Sequence, residues 1–139
     1  MEINLARKNK KFHFEAENTE GQTVGIDANP AIGGEGKGFR PMEMLLVGLG
    51  GCSGIDMINV LTKQKEPLDD VKIKITATRR DNEVPAIFEE INIHFDLFGE
   101  LSIPKVERAL DLTFAKYCSV SNILGRSAEI KFSYAIHQS

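Results

Sequence analysis

The chain has no tryptophan, only two cysteines and only three histidines in 139 residues. Each shortage removes a class of protein. The cysteines, Cys52 and Cys118, are too few and too far apart for a zinc site of paired C-x-x-C type. In a cytosolic chain such a pair points to reduced or catalytic thiols rather than a permanent bridge. His13, His94 and His137 fall on strand patterns, mostly at polar positions, where solvated imidazoles are expected, so no metal site follows. Positive charge is not in excess: 17 Lys and Arg against 20 Asp and Glu leave a net charge of −3. That balance lacks the basic footprint of nonspecific nucleic-acid binding, and no basic amphipathic segment suits a membrane surface.

Long hydrophobic runs are also missing. Met42 to Leu61 has about the length of a spanning helix, but Glu43, Asp56 and Asn59 interrupt it and four glycines dilute it, so a buried core helix is expected. The start has no apolar h-region and no small-residue cleavage site, which makes the cytoplasm the expected location. Repeats, low-complexity tracts and linkers are absent. One domain spanning 1–139 is expected, large enough to bury a real core.

What is present is β-rich α+β patterning. Phe12, Phe14 and Ala16 alternate with Lys11, His13 and Glu15, predicting a half-buried strand. Ile3, Leu5 and Thr23 to Ile26 predict flanking strands, with a turn at Asn18 to Gly21. Gly33, Gly34, Gly36 and Gly38 predict a mobile loop ending at Pro41. That loop has neither the P-loop nor the dinucleotide spacing. A first helix is predicted from about Pro41 to Gln64, with proline well placed in its first turn. Strands follow at Ile73 to Ala77 and Ile91 to Leu97. A second helix starts near Ser102 with the apolar stripe Val106, Ala109, Leu110, Thr113, Phe114 and Tyr117. A short helical turn at Ser119 to Leu124 is stopped by Gly125, and Ile130 to Ile136 make a last strand.

The cysteine contexts carry the functional signal. Cys52 lies in Gly50-Gly51-Cys52-Ser53-Gly54, and glycine costs about 1 kcal/mol relative to alanine inside a helix. Four glycines near one thiol leave room for something to approach it. Cys118 lies in Tyr117-Cys118-Ser119-Val120-Ser121, at the start of the predicted short turn, where backbone N–H groups favour an anion. A buried thiol has its pKa raised by desolvation, so reactivity at Cys52 requires a cation. Arg40 is the first candidate and Arg7 the second. Asp56, one turn after Cys52, shares its helical face and would disfavour a thiolate if ionised. The first helix is apolar nearly all round, so a partner chain is expected to cover what one small sheet cannot.

Gly38-Phe39-Arg40-Pro41-Met42-Glu43-Met44-Leu45-Leu46, the Gly50-Gly51-Cys52 that follows, and Tyr117-Cys118-Ser119-Val120-Ser121 resemble the osmotically inducible and organic hydroperoxide resistance (OsmC/Ohr) family of thiol peroxidases. The resemblance covers nearly the whole chain and lies closer to the broad OsmC-like branch. It implies an OsmC-like fold, with antiparallel sheets wrapped around central helices in an intertwined homodimer. It implies no cofactor. The activity it implies is reduction of organic hydroperoxides by a peroxidatic Cys52 and a resolving Cys118, with a dithiol reductant such as a lipoylated protein. Well-studied members read Pro-Glu at the helix start, and that glutamate orients the catalytic arginine. Here the text is Pro41-Met42-Glu43, which puts Glu43 nine residues before Cys52 on roughly the opposite helix face. Glu43 therefore does not simply inherit the orienting role, and Arg40 and Glu43 stand as separate candidate catalytic residues beside the two cysteines. The peroxidases usually read Cys-Pro where this chain has Cys118-Ser119. The alternative is a non-catalytic dimer binding an apolar small molecule.

Overall fold

The computed structural model describes residues 1–139. The chain divides into two compact units, Met1–Val47 and Gly48–Ser139.

In the first unit, β1 (Ile3–Arg7), β2 (Phe14–Asn18) and β3 (Thr23–Ile26) form an antiparallel meander in that order. Its register sets Leu5 opposite Ala16 and Ala16 opposite Val24. The turn expected at Asn18 to Gly21 is an Asx turn: Asn18 Oδ1 accepts the N–H groups of Glu20 at 3.1 Å and Gln22 at 3.0 Å. The strand expected from Phe12 starts at Phe14 instead. Asn9 Oδ1 accepts the N–H groups of Lys11 at 2.9 Å and His13 at 3.2 Å, and these local bonds hold the segment in a turn.

The glycine-rich loop is fastened rather than free. Asp27, 2% exposed, accepts the N–H groups of Ala28 at 2.7 Å, Lys37 at 3.1 Å and Glu35 at 3.2 Å. Phe39 donates to Gly25 at 3.0 Å and accepts from Asp27 at 3.0 Å, closing a parallel bridge. A Cβ on Gly38 would lie 2.3 Å from the Gly25 backbone, so only glycine lets the two segments meet.

The first helix, α1 (Pro41–Lys63), opens with Pro41. The Glu43 carboxylate reaches back to the Arg40 backbone N–H at 2.8 Å, the glutamate half of a capping box. Helix and proline are thus matched locally by the residues that begin them.

The second unit holds the rest of α1, β4 (Asp70–Arg79), β5 (Phe88–Phe98), α2 (Ile103–Leu112), a π turn (Thr113–Tyr117), α3 (Ser119–Leu124) and β6 (Glu129–His137). Its sheet has the order β4-β5-β6. β4 and β5 are antiparallel, but β5 and β6 run parallel, which corrects the expectation of purely antiparallel sheets. The cause is the crossover through α2 and α3, long enough to bring the chain back in the same direction.

On β5, Ile91, Ile93, Phe95 and Leu97 are at most 1% exposed, and each such side chain contributes roughly 1.5–3 kcal/mol of burial. α2 adds Val106, Ala109 and Leu110, and α1 adds Leu49, Met57 and Leu61. Two α1 glycines serve this packing. A Cβ on Gly54 would lie 2.8 Å from Ile73 Cδ1, and one on Gly50 would lie 3.0 Å from Ile75 Cδ1. Their room is taken by β4, which corrects the reading that all four glycines open space around the thiol. Gly48 and Gly51 do face open space. They share a stripe, at helical spacing, with Ile55 (69% exposed) and Ile58 (42%).

Candidate active site

Cys52 and Asp56 lie four residues apart on α1, so successive turns point them the same way. Cys118 arrives from the other end of the unit. The expected second helix runs as α2 only to Leu112 and then widens into the π turn Thr113–Tyr117. The Cys118 N–H closes that turn on the Thr113 carbonyl at 2.8 Å. Wide turns of this kind are frequent at functional sites. Behind it Phe114 stacks on Phe132 at 4.6 Å between ring centroids and meets Phe95 edge-on at 6.1 Å. These rings fix where the π turn ends, and so where the thiol sits.

The chain then turns into α3, with Cys118 as its N-cap. Cys118 Sγ accepts the Ser121 N–H at 3.4 Å, and Ser121 Oγ donates to the Cys118 carbonyl at 3.0 Å. Cys52 Sγ, Cys118 Sγ and one Asp56 carboxylate oxygen all lie within 4.8 Å of one another. Both cysteines are free thiols, Cys118 buried at 3% exposure and Cys52 only partly. Burial pushes the Cys118 thiol up, and the adjacent Cys52 pushes it further; the Ser121 hydroxyl and N–H oppose them without prevailing. Cys118 therefore stays a thiol through neutral pH, whereas Cys52 is the more exposed of the two residues.

The other sequence candidates lie in the first unit. The Arg40 backbone N–H is bound by Glu43, so the Glu43 carboxylate is engaged in helix capping. Arg7 Nε donates to the Lys11 carbonyl at 2.9 Å and its Nη2 to the Lys10 carbonyl, so this guanidinium is engaged in the β1–β2 turn. The concavity at Cys118, about 230 Å³, is lined by Phe114, Lys116, Tyr117, Asn122 and Ile123. The π turn and α3 wall it. Thr113 and Ser121 are the site residues that sequence reasoning missed. Thr113 reads as one more stripe position, and only the i-to-i+5 bond reveals its part.

Two free thiols brought together in an α+β fold, one partly exposed and one buried beside it, are the site this chain builds. The chain belongs to the OsmC-like protein family, whose profile matches residues 34–133. Protein YhfA of Escherichia coli is 38% identical over 124 residues, covering 88% of this chain and 89% of that protein. A hydroperoxide reductase of Mycoplasma pneumoniae is 26% identical over 113 residues, covering 79% and 77%. The crystal structure of a hypothetical protein from Aquifex aeolicus superposes with a TM-score of 0.85 at 32% identity, covering 99% of this chain and 96% of that one.

Proposed function

We propose that the protein is a thiol peroxidase that reduces organic hydroperoxides with Cys52 and Cys118. The observation that carries this reading is the approach of two free thiols to within 4.8 Å in a chain of this family. The hydroperoxide reductase relative supports the same substrate class.

Cys52, the more exposed of the two residues, attacks the peroxide as thiolate. The O–O bond breaks, the sulfur takes one oxygen as sulfenic acid, and the other oxygen leaves as alkoxide and gains a proton to become an alcohol. Cys118 then attacks the Cys52 sulfur, forming a disulfide and releasing water. Its sulfur must close to about 2.05 Å. A dithiol of the lipoyl type reopens the bridge by exchange and is itself oxidised. The raised Cys118 pKa suits this order: a protonated thiol waits rather than competes for peroxide.

The working unit in this reading is a cytoplasmic homodimer. The open α1 stripe of Gly48, Gly51, Ile55 and Ile58 has small and apolar residues at the spacing that lets a second helix approach closely. A second reading, an apolar-ligand-binding dimer without catalysis, is favoured by a concavity of about 400 Å³ in the first unit. Ile3, Leu5, Val24, Ile26 and Met44 line it, and neither thiol does.

The deciding experiment treats the protein briefly with tert-butyl hydroperoxide and analyses it by non-reducing mass spectrometry beside Cys52→Ser and Cys118→Ser. A Cys52–Cys118 disulfide, with sulfenic acid trapped at Cys52 when Cys118 is replaced, is expected. Unmodified thiols at stoichiometric peroxide would overturn the peroxidase reading in favour of the binding one.

A further inference from the structure

We propose that Cys52, Cys118 and Asp56 form a three-ligand site for a thiophilic divalent cation, zinc above all, in the reduced protein. The inference is independent of the peroxidase reading, since it concerns binding and not turnover.

Geometry comes first. One ligand atom from each residue lies within 4.8 Å of the other two. Around a tetrahedral zinc, with Zn–S near 2.3 Å and Zn–O near 2.1 Å, neighbouring ligand atoms stand roughly 3.5–3.8 Å apart. Each ligand therefore has to draw in by about 1 Å at most, within reach of side-chain rotation. Cys52 and Asp56 have the i, i+4 spacing by which one helix face presents two ligands to one ion. The third ligand comes from a backbone fixed by the π turn and the α3 cap.

The second observation is independent of distance. Asp56 Oδ2 is buried and has no hydrogen-bond partner. Buried acceptors in folded proteins are satisfied as a rule, and an orphaned oxygen on the carboxylate that reaches the two sulfurs is what an ion would satisfy. The donor set then selects the ion. Two sulfurs favour zinc or copper(I) over magnesium and calcium, which require oxygen. The carboxylate favours a dication over copper(I). Ser121 supplies the outer partner that metal-bound sulfurs commonly have, through its N–H to Cys118 Sγ. Three protein ligands leave a fourth position open, the arrangement of zinc sites that keep a water or substrate.

Because the ion takes thiolates, it and a Cys52–Cys118 disulfide exclude one another. The test is titration of the reduced, metal-free full chain with cobalt(II) and then zinc, without oxygen. One cobalt per chain is expected, with a sulfur-to-cobalt charge-transfer band and the visible bands of a four-coordinate ion, all erased by one equivalent of zinc. Zinc should also slow alkylation of both thiols by iodoacetamide, a measurement that needs no variant. Cys52→Ser and Cys118→Ser should each weaken the charge-transfer band. Asp56→Asn, with its fold checked by circular dichroism, should weaken cobalt affinity at least about tenfold, the loss that even outer partners of ligands produce. No charge-transfer band in the folded wild type would overturn the site. So would unchanged affinity in Asp56→Asn, which would leave a bare dithiol. Peroxide oxidation of the metal-free protein, scored separately, fails or succeeds without bearing on either result.

Discussion

At the scale of single residues, Asp27 organises the glycine-rich loop and makes its attachment sensitive to acid. Burial alone would push the Asp27 carboxyl up. The backbone N–H groups of Lys37, Ala28 and Glu35, with the positive field of His13, outweigh it and hold the group below its ordinary value. A depressed folded value means the unfolded chain takes up the proton first as pH falls. The stability this carboxylate contributes is then full above the unfolded pKa, about 3.9, and is lost as pH falls through the lower folded value. Asp27→Asn should remove that component, giving a shallower loss of stability below pH 4 in denaturant titrations across pH. An unchanged acid slope would show that other carboxylates govern it. In the sequence Asp27 is one polar residue after a short strand. Its partners lie one, eight and ten residues on, so only the closed loop reveals them.

At the scale of elements, the glycines of α1 divide by what faces them. Gly54→Val would drive methyl groups into Ile73, and overpacking of this kind costs roughly 1–3 kcal/mol, read as a lower denaturation midpoint. Gly48→Ala meets nothing within 4 Å in the chain and gains about 1 kcal/mol of helix propensity. Equal effects at the two positions would contradict this division. The sequence pattern alone cannot make it, because both are glycines in one apolar helix, distinguished only by which face meets β4. The π turn is a second case. The stripe from Val106 to Phe114 made a helix legible, but the extra residue that turns Cys118 into place depends on packing against Phe95 and Phe132.

At the scale of the whole molecule, the proposed dimer rests on the open stripe of α1. Replacing Ile55 and Ile58 together by glutamate would place two charges in a closely packed helix contact. It should convert a dimer into a monomer by sedimentation velocity while leaving circular dichroism unchanged. A wild type that sediments as a monomer at all concentrations would overturn the dimer. Pro41–Lys63 is also long and apolar enough to cross a membrane by length and composition. Its second-unit residues Met57, Val60 and Leu61 instead join the protein core.

The alternation of the strands, the helix from Pro41, the short turn after Cys118 and the text around both cysteines can all be read along the chain. These are local: period, caps and neighbours set them within a few residues. Tertiary structure alone decided that β6 joins β5 in parallel, that Glu43 caps the backbone of Arg40, and that Cys118 comes to Cys52 beside an unpartnered Asp56. The physical reason is distance along the chain. The two thiols are separated by two strands, a helix and a π turn, and their meeting depends on how those elements pack, which no local pattern encodes.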